Sequence, residues 1–234
     1  MPSTIFQVKS YSIINSKVIF FAILVGVVLV TSACFQGETD QPDEIVQPNS
    51  NPLSLSHEDL TVSTFTGIPS PRAITYDGVN IWIANMGMNT VTKISEDGTT
   101  LGVYKVGNSP KSLAFDGKHI WVANSGEGSV YKLNLEGELL GKYPIGGGYT
   151  APTSLLYHQR HIWVASSWGD TVAKLDLEGK TLNTTRIPGL HPAPWALETD
   201  GTSVWLASLH QSVVQELGES TEILDTYPVG LEPE

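Results

Sequence analysis

The sequence predicts an all-β fold, a β-propeller of four-stranded antiparallel blades, and three observations support this prediction. First, four units repeat, and in each a proline precedes a tryptophan by eleven residues. Second, the tryptophans are 39, 42 and 42 residues apart, and a period near 40 is typical of propeller blades. Third, each unit divides into four short apolar runs separated by turn residues. The four pairs are Pro71 and Trp82, Pro110 and Trp121, Pro152 and Trp163, and Pro194 and Trp205.

The second run of each unit is apolar at odd and even positions alike, as in Ile81, Trp82, Ile83 and Ala84. Both faces of such a strand must be covered, and a blade stacked between two other blades meets that demand. We therefore interpret the repeated tryptophans as packing between blades, rather than as ligand-stacking groups. A small residue recurs where neighbouring blades would converge, at Ala84, Ala123, Ala165 and Ala207.

Turn residues separate the runs and set the blade boundaries. An Asp-Gly pair between the first two strands supplies the positive φ that a tight hairpin needs, and only the third unit departs, with His158-Gln159. We expect blades at about 71–107, 110–146, 152–189 and 194–230. The fourth unit also carries Glu216, where the others have lysine. The Asp-Gly pairs are Asp77-Gly78, Asp116-Gly117 and Asp200-Gly201, and the lysines of the first three units are Lys93, Lys132 and Lys174.

The N-terminal 33 residues have the composition of a secretory signal peptide. They contain two lysines, no acid and an apolar stretch at residues 18–30, which is short for a membrane span of about 20 residues. The stretch runs into Thr31-Ser32-Ala33-Cys34, which resembles the lipobox of bacterial lipoproteins and implies lipid attachment at Cys34. An uncleaved anchor helix is the alternative.

Residues 34–60 are acidic and poor in apolar residues, so we expect a disordered tether.

Both ends of the repeat array suggest a longer propeller. Residues 61–67 match the fourth strand of a repeat although no repeat precedes them, so we expect an extra closing strand there. Pro233 looks like the first residue of a fifth unit. We therefore expect four blades of a truncated propeller of six to eight blades, with apolar blade faces left exposed; the alternative is a four-blade ring with a redundant strand.

Charge and cysteine content exclude some partners. A formal net charge of −11 disfavours nucleic acid. Cys34 is the single cysteine, so the propeller has no internal disulfide. The sequence has no phosphate loop, Gly-x-Ser-x-Gly motif or EF-hand spacing. His158 and His161 are expected on the outer surface of a turn rather than as metal ligands.

Ligands usually meet a propeller at the mouth formed by two sets of loops, those leading into the first strand and those joining the second and third strands. Both sets vary between these repeats while the strands do not, as in a scaffold that carries a grafted site. Trp168 and Trp195 break the repeat, and His191 and His210 flank the same loops. The candidate ligand-face residues are Arg72, Asn85, Lys111, Asn124, Thr153, Trp168, Trp195 and His210.

The phrase V-G-N-S-P-K-S-L-A-F-D-G-K-H-I-W-V-A-N-S-G-E-G-S-V-Y-K-L at residues 106–133 resembles the repeat of streptogramin B (virginiamycin B) lyase-like propellers and of the neighbouring YVTN and NHL-type propellers. The resemblance spans residues 61–234 and implies a propeller. It also implies, for enzyme members, a histidine and a magnesium ion held by acidic residues, with a Glu-x-His arrangement. This chain has no Glu-x-His, so no catalytic residue carries over and no cofactor is expected.

We therefore expect a lipoprotein at the cell envelope, facing the periplasm or the cell exterior. Its propeller would bind a small molecule or a protein at the mouth, and the membrane through the lipid anchor. The alternative is a streptogramin lyase-like or lactonase-like enzyme, a magnesium-dependent carbon–oxygen lyase in the first case, whose active-site blades are missing from this chain. A purely structural role in an envelope assembly also stays open.

Overall fold

The structure, a computed structural model, describes residues 6–13, 16–22, 60–147 and 150–230. Cys34, most of the expected tether and Pro233 lie outside these ranges. The chain divides into two compact units, with the boundary between Gly67 and Ile68. No helix in the described ranges is long and apolar enough to cross a bilayer.

The first unit contains a three-stranded antiparallel sheet. Its strands are β1 (Phe6–Ile13), β2 (Ser16–Ala22) and β3 (Leu60–Phe65), in the order β2-β1-β3. Strand β3 occupies most of the segment expected to be an extra closing strand, and it pairs with β1. Each of the four blades of the second unit supplies its own fourth strand.

The second unit consists of four sheets of four antiparallel strands, and this confirms the predicted fold class. The first blade is β4 (Pro71–Tyr76), β5 (Ile81–Asn85), β6 (Thr90–Ile94) and β7 (Thr100–Lys105). The second is β8 (Pro110–Phe115), β9 (Ile120–Asn124), β10 (Ser129–Leu133) and β11 (Leu139–Pro144). The third is β12 (Pro152–His158), β13 (His161–Ser166), β14 (Thr171–Leu175) and β15 (Thr181–Arg186). The fourth is β16 (Pro194–Thr199), β17 (Val204–Ser208), β18 (Val213–Leu217) and β19 (Ile223–Pro228).

The first strand of each blade is the innermost one. Strand β4 packs against β8, β8 against β12, and β12 against β16, so these four innermost strands follow one another in chain order. Three clusters of buried apolar side chains among the described residues each join one blade to the next. Trp82, Trp121 and Trp163 lie in different clusters and are at most 2% exposed. The prediction that the repeated tryptophans pack between blades is confirmed for these three.

A lysine on the third strand ties each blade to the next. The Lys93 ammonium lies 5.1 Å from the ring centroid of Trp82 and donates to the carbonyl of Leu135 in the second blade at 2.8 Å. Lys132 and Lys174 repeat the arrangement over the tryptophans of their own blades. One cation thus covers an indole and satisfies a backbone carbonyl of the neighbouring blade.

A tyrosine on the fourth strand makes a second connection. Tyr104 stacks on Trp82 with ring centroids 5.7 Å apart, and its ring occupies the space that a Cβ at Gly137 of the second blade would need. Tyr143 and Gly179 form the equivalent pair between the second and third blades. Between the third and fourth blades both residues change together, to Thr185 and Thr221, whose hydroxyls are 2.6 Å apart.

The Asp-Gly turns serve the tryptophans as well as the hairpins. The glycine alone has positive φ, +91° at Gly117. The Asp116 carboxylate accepts the Trp121 indole N–H at 2.8 Å and two backbone N–H groups of the turn. Burial by itself would raise the pKa of Asp116, but these hydrogen bonds outweigh it and hold the pKa below its usual value.

The third blade replaces this turn with a different one. His158 was expected on an outer surface and is instead 9% exposed, because its ring points to the next blade and pairs with the Thr199 hydroxyl at 3.0 Å. Gln159 and Arg160 both have positive φ, which makes a two-residue hairpin turn without Asp-Gly. With no aspartate at this position, the Trp163 indole N–H has no partner in the described part of the chain.

The fourth blade keeps the pattern, but its outer face is not covered by another blade of the described residues. Trp205 and Tyr227 have ring centroids 5.7 Å apart, as in the first two blades, yet Tyr227 is 42% exposed and Trp205 is only half-buried. Glu216 cannot donate to a neighbouring carbonyl as the lysines do, and it accepts the hydroxyl of Ser203 within its own blade.

We predict that Gly137→Ala destabilises the protein more than Gly117→Ala. Both glycines have positive φ, so each alanine meets a backbone penalty of about 1–2 kcal/mol. The Cβ at 137 would in addition overlap the Tyr104 ring, whereas nothing lies within 4 Å of a Cβ at 117. An overpacking cost of about 1–3 kcal/mol follows, measurable by urea unfolding. Equal losses in the two variants would contradict the proposed tyrosine–glycine contact.

We predict a larger loss of stability for Asp116→Ala than for Asp200→Ala. Both changes remove the turn hydrogen bonds, but Trp121 is fully buried while Trp205 can reach water. Leaving the buried indole N–H unpaired costs about 1–3 kcal/mol. Thermal unfolding at neutral pH measures the difference.

The effect of Asp116→Ala on stability should depend on pH in a defined direction. Because the folded-state pKa of Asp116 lies below the unfolded value of 3.8, its stabilising contribution is present above that value and is lost as the pH falls through the folded-state pKa. The difference in melting temperature between wild type and Asp116→Ala should therefore shrink in acid. A difference that grows below pH 3.8 would contradict this assignment.

Candidate functional site

A bulge follows the proline at the start of every innermost strand. The pairing register shifts by one residue between Pro71 and Ala73, and at the same place in the other blades. A bulge leaves one residue unpaired and redirects its side chain, and bulges are over-represented beside active sites. The bulged residues are Arg72, Lys111, Thr153 and Trp195, and all four are among the candidate ligand-face residues of the sequence analysis.

The residue before each proline has a left-handed backbone. Its φ is 49°, 53°, 48° and 50° in successive blades, although a residue before proline normally prefers an extended conformation. A hydrogen bond holds it, since its carbonyl accepts the first N–H after the second strand, as from Met86 to Ser70 at 2.9 Å. The two sets of loops are therefore tied together within each blade and form one face. The four left-handed residues are Ser70, Ser109, Ala151 and Ala193.

A pocket of about 410 Å³ opens on this face between the third and fourth blades. Trp168 is 73% exposed and Trp195 37% exposed, so these two indoles present apolar surface to solvent, whereas Trp82, Trp121 and Trp163 are buried. The structure thus brings together Trp168, Trp195 and His210 of the predicted ligand face. The pocket is lined by Ser167, Trp168, His191, Ala193, Trp195, Leu209 and His210.

Lys111 reaches Trp195 from a blade that does not adjoin the fourth. Its ammonium lies 5.7 Å from the centroid of the Trp195 ring, although the third blade stands between the second and the fourth. Burial lowers the pKa of Lys111, and the positive charge of Arg72 lowers it further. A cation and an indole from different blades therefore meet on this face, and a group that brings negative charge there would favour the charged form of Lys111.

Polar contacts hold the pocket loops in place. Asp170 is 5% exposed and accepts the backbone N–H of Ala193 at 3.4 Å. Arg186 and His191 each lie 3.9 Å from its carboxylate. The His210 ring pairs with the carbonyl of His191 at 3.1 Å. These contacts join the loop of the third blade to the two loops of the fourth.

Ser167 contributes an unused hydrogen-bonding group to the pocket. The residue is 7% exposed, and its hydroxyl has no partner among the residues that the structure describes. A buried hydroxyl without a partner is costly. A ligand with a polar atom would satisfy it.

Three predicted ligand-face residues have structural contacts instead. Asn85 and Asn124 are at most 1% exposed and do not line the pocket, and the Asn85 amide donates to the Thr92 hydroxyl at 2.8 Å. The Thr153 hydroxyl donates to the carbonyl of Pro194 at 3.0 Å and so links the third blade to the fourth.

Sequence reasoning missed Ser167, Ala193 and Leu209. Each adjoins a residue that it singled out, Trp168, Pro194 and His210 respectively, and the repeat alignment gives no sign that their side chains turn toward a common space. No group of three or more His, Cys, Asp or Glu side chains within the described ranges is arranged to hold a metal ion.

No protein-family profile and no curated protein matches the chain. Among solved structures, the selenomethionine-substituted virginiamycin B lyase from Staphylococcus aureus is 18% identical with a TM-score of 0.66, and the match covers 76% of this chain and 62% of that one. A streptogramin B lyase is 18% identical with a TM-score of 0.67, over 74% and 60%. A catalytically inactive histidine-to-alanine variant of the Staphylococcus aureus lyase with quinupristin is 14% identical with a TM-score of 0.66, over 99% and 90%.

In the first two of these matches the chain spans about 60% of the length of the lyase. At these identities the likeness concerns the fold. It confirms the lyase-like propeller fold that the repeat sequence predicts, and it leaves the activity to be argued from the site.

Proposed function

We propose that this chain is an envelope-anchored propeller lipoprotein that binds a small ligand at the mouth of the propeller. The observation that carries the binding role is the pocket between the third and fourth blades, at the point where the repeat is broken. Its volume of about 410 Å³ lies in the range of small-molecule sites, about 300–1,000 Å³.

The composition of the pocket supports binding of a largely apolar ligand. Two exposed indoles and Leu209 supply apolar surface, while Ser167 and His210 supply polar groups that orient a ligand. Packing symmetry does not explain Trp168 and Trp195, since neither stands at a repeated tryptophan position. Exposed apolar side chains that cluster in a concavity are typical of binding sites.

A lyase-like or lactonase-like metal-dependent enzyme is the second candidate, and the fold likeness to streptogramin lyases favours it. The described residues of this chain gather no cluster of metal-ligating side chains. An enzyme of this kind would need metal ligands beyond those that the described residues gather, whereas the pocket that supports the binding role lies among them.

Anchoring at the envelope rests on residues 1–34 of the sequence. We predict that protein extracted from membranes has a diacylglyceryl-modified N-terminus at Cys34, measured as intact mass. A Cys34→Ser variant should lose the lipid and leave the membrane fraction. Recovery of protein that still carries residues 1–33 would overturn the lipoprotein assignment.

Binding at the pocket can be tested with the neutral aromatic probe 1-naphthalenemethanol. We expect Trp168→Ala and Trp195→Ala each to weaken its binding by about tenfold or more, because each removes a ring face that buries the probe. Calorimetry gives the affinity, and the indole N–H signals of the wild type should shift for Trp168 and Trp195 but not for Trp82. Leu224→Ala, at an exposed position on β19 outside the pocket, is the control. Equal weakening in all three variants would contradict the site.

A further inference from the structure

We propose that the pocket selects aromatic anions, with the ring held between Trp168 and Trp195 and the carboxylate directed to Lys111 and Arg72. This inference rests on the proposed binding function and adds the chemical class of the ligand. Its starting point is the 5.7 Å contact between the Lys111 ammonium and the ring of Trp195, which places a positive charge against a residue that lines the pocket.

The two cations, Lys111 and Arg72, belong to a chain with an excess of acidic residues. Its formal net charge is −11, with 13 basic against 24 acidic residues. The other lysines that lie over tryptophans donate to a carbonyl of the next blade, and so hold blades together. Lys111 and Arg72 occupy equivalent bulges of two innermost strands that pack together, β8 and β4. Burial and, after it, the charge of Arg72 lower the pKa of Lys111.

A carboxylate at this position gains from both groups. It would meet two positive charges in surroundings partly removed from water, where an ion pair is stronger than at an open surface. It would also remove the repulsion between Arg72 and Lys111.

The remainder of the pocket fits a planar ring. Trp168 and Trp195 come from different blades, on the third-blade loop and on β16, and they line the same space as Leu209. Rings that stack offset or edge-to-face on indoles gain more than apolar contact alone. The buried Ser167 hydroxyl, which has no partner within the described ranges, offers a hydrogen bond to a ring substituent or heteroatom.

A cationic ligand is less well accommodated. The Asp170 carboxylate contacts two residues of the pocket lining, His191 and the Ala193 N–H, and is also approached by Arg186. Its side chain is 7% exposed, so a bound cation could not contact it without displacing the loop.

Three probes that share one ring system separate anionic, neutral and cationic ligands: 1-naphthoate, 1-naphthalenemethanol and 1-naphthylmethylamine. We expect wild-type protein to bind the carboxylate about tenfold more tightly than the alcohol by calorimetry. Lys111→Met should reduce that preference, because it should weaken carboxylate binding more than alcohol binding. Lys180→Met makes the same change in charge at an exposed turn and should keep the preference.

A measurement on the wild type alone makes the test independent of how well the variants fold. Added sodium chloride should weaken carboxylate binding and leave alcohol binding unchanged. Equal affinity for carboxylate and alcohol, tighter binding of the amine, or equal loss in Lys111→Met and Lys180→Met would overturn the inference while the proposed binding function stands. Binding of none of the three probes would overturn both.

Discussion

Every blade of this protein has two apolar faces, and the fold depends on covering both. At all three junctions a tryptophan on the second strand is buried against the next blade with a lysine above it. In the first two blades an aspartate also accepts the indole N–H. The lysine also bonds to a carbonyl of the neighbour. Apolar burial supplies the driving force, and the polar contacts fix the geometry in which the blades meet.

Departures from the repeat are compensated in pairs, which indicates that these contacts are coupled. Where Tyr104 and Tyr143 meet glycine, Thr185 meets Thr221. Where the third turn lacks aspartate, His158 bonds to Thr199 of the fourth blade. A change on one side of a junction alone would leave a void or an overlap, since packed interiors tolerate neither. Glu216 is different, because its partner lies within its own blade.

The sequence was sufficient to predict the propeller, the four antiparallel strands of each blade and the burial of three tryptophans, because a repeat averages out the ambiguity of any single strand. It also singled out Trp168, Trp195 and His210, which the structure places around one pocket. It failed at His158, whose direction depends on a turn type that Gln159 and Arg160 adopt without glycine. It also failed at Asn85, Asn124 and Thr153, since position on a loop does not reveal whether a side chain turns inward. Ser167 and Leu209 became visible only when two blades were brought together.

The bulges explain how one repeat can serve both packing and recognition. Each innermost strand loses its register directly after proline, and the residue released there points away from the ladder. In the third blade that residue is Thr153, which reinforces the junction with the fourth. In the second and fourth blades it is Lys111 and Trp195, which meet near the axis. The backbone is the same in all four blades, so the chemistry at this position can change without disturbing the strands, and this freedom is what a binding site on a propeller requires.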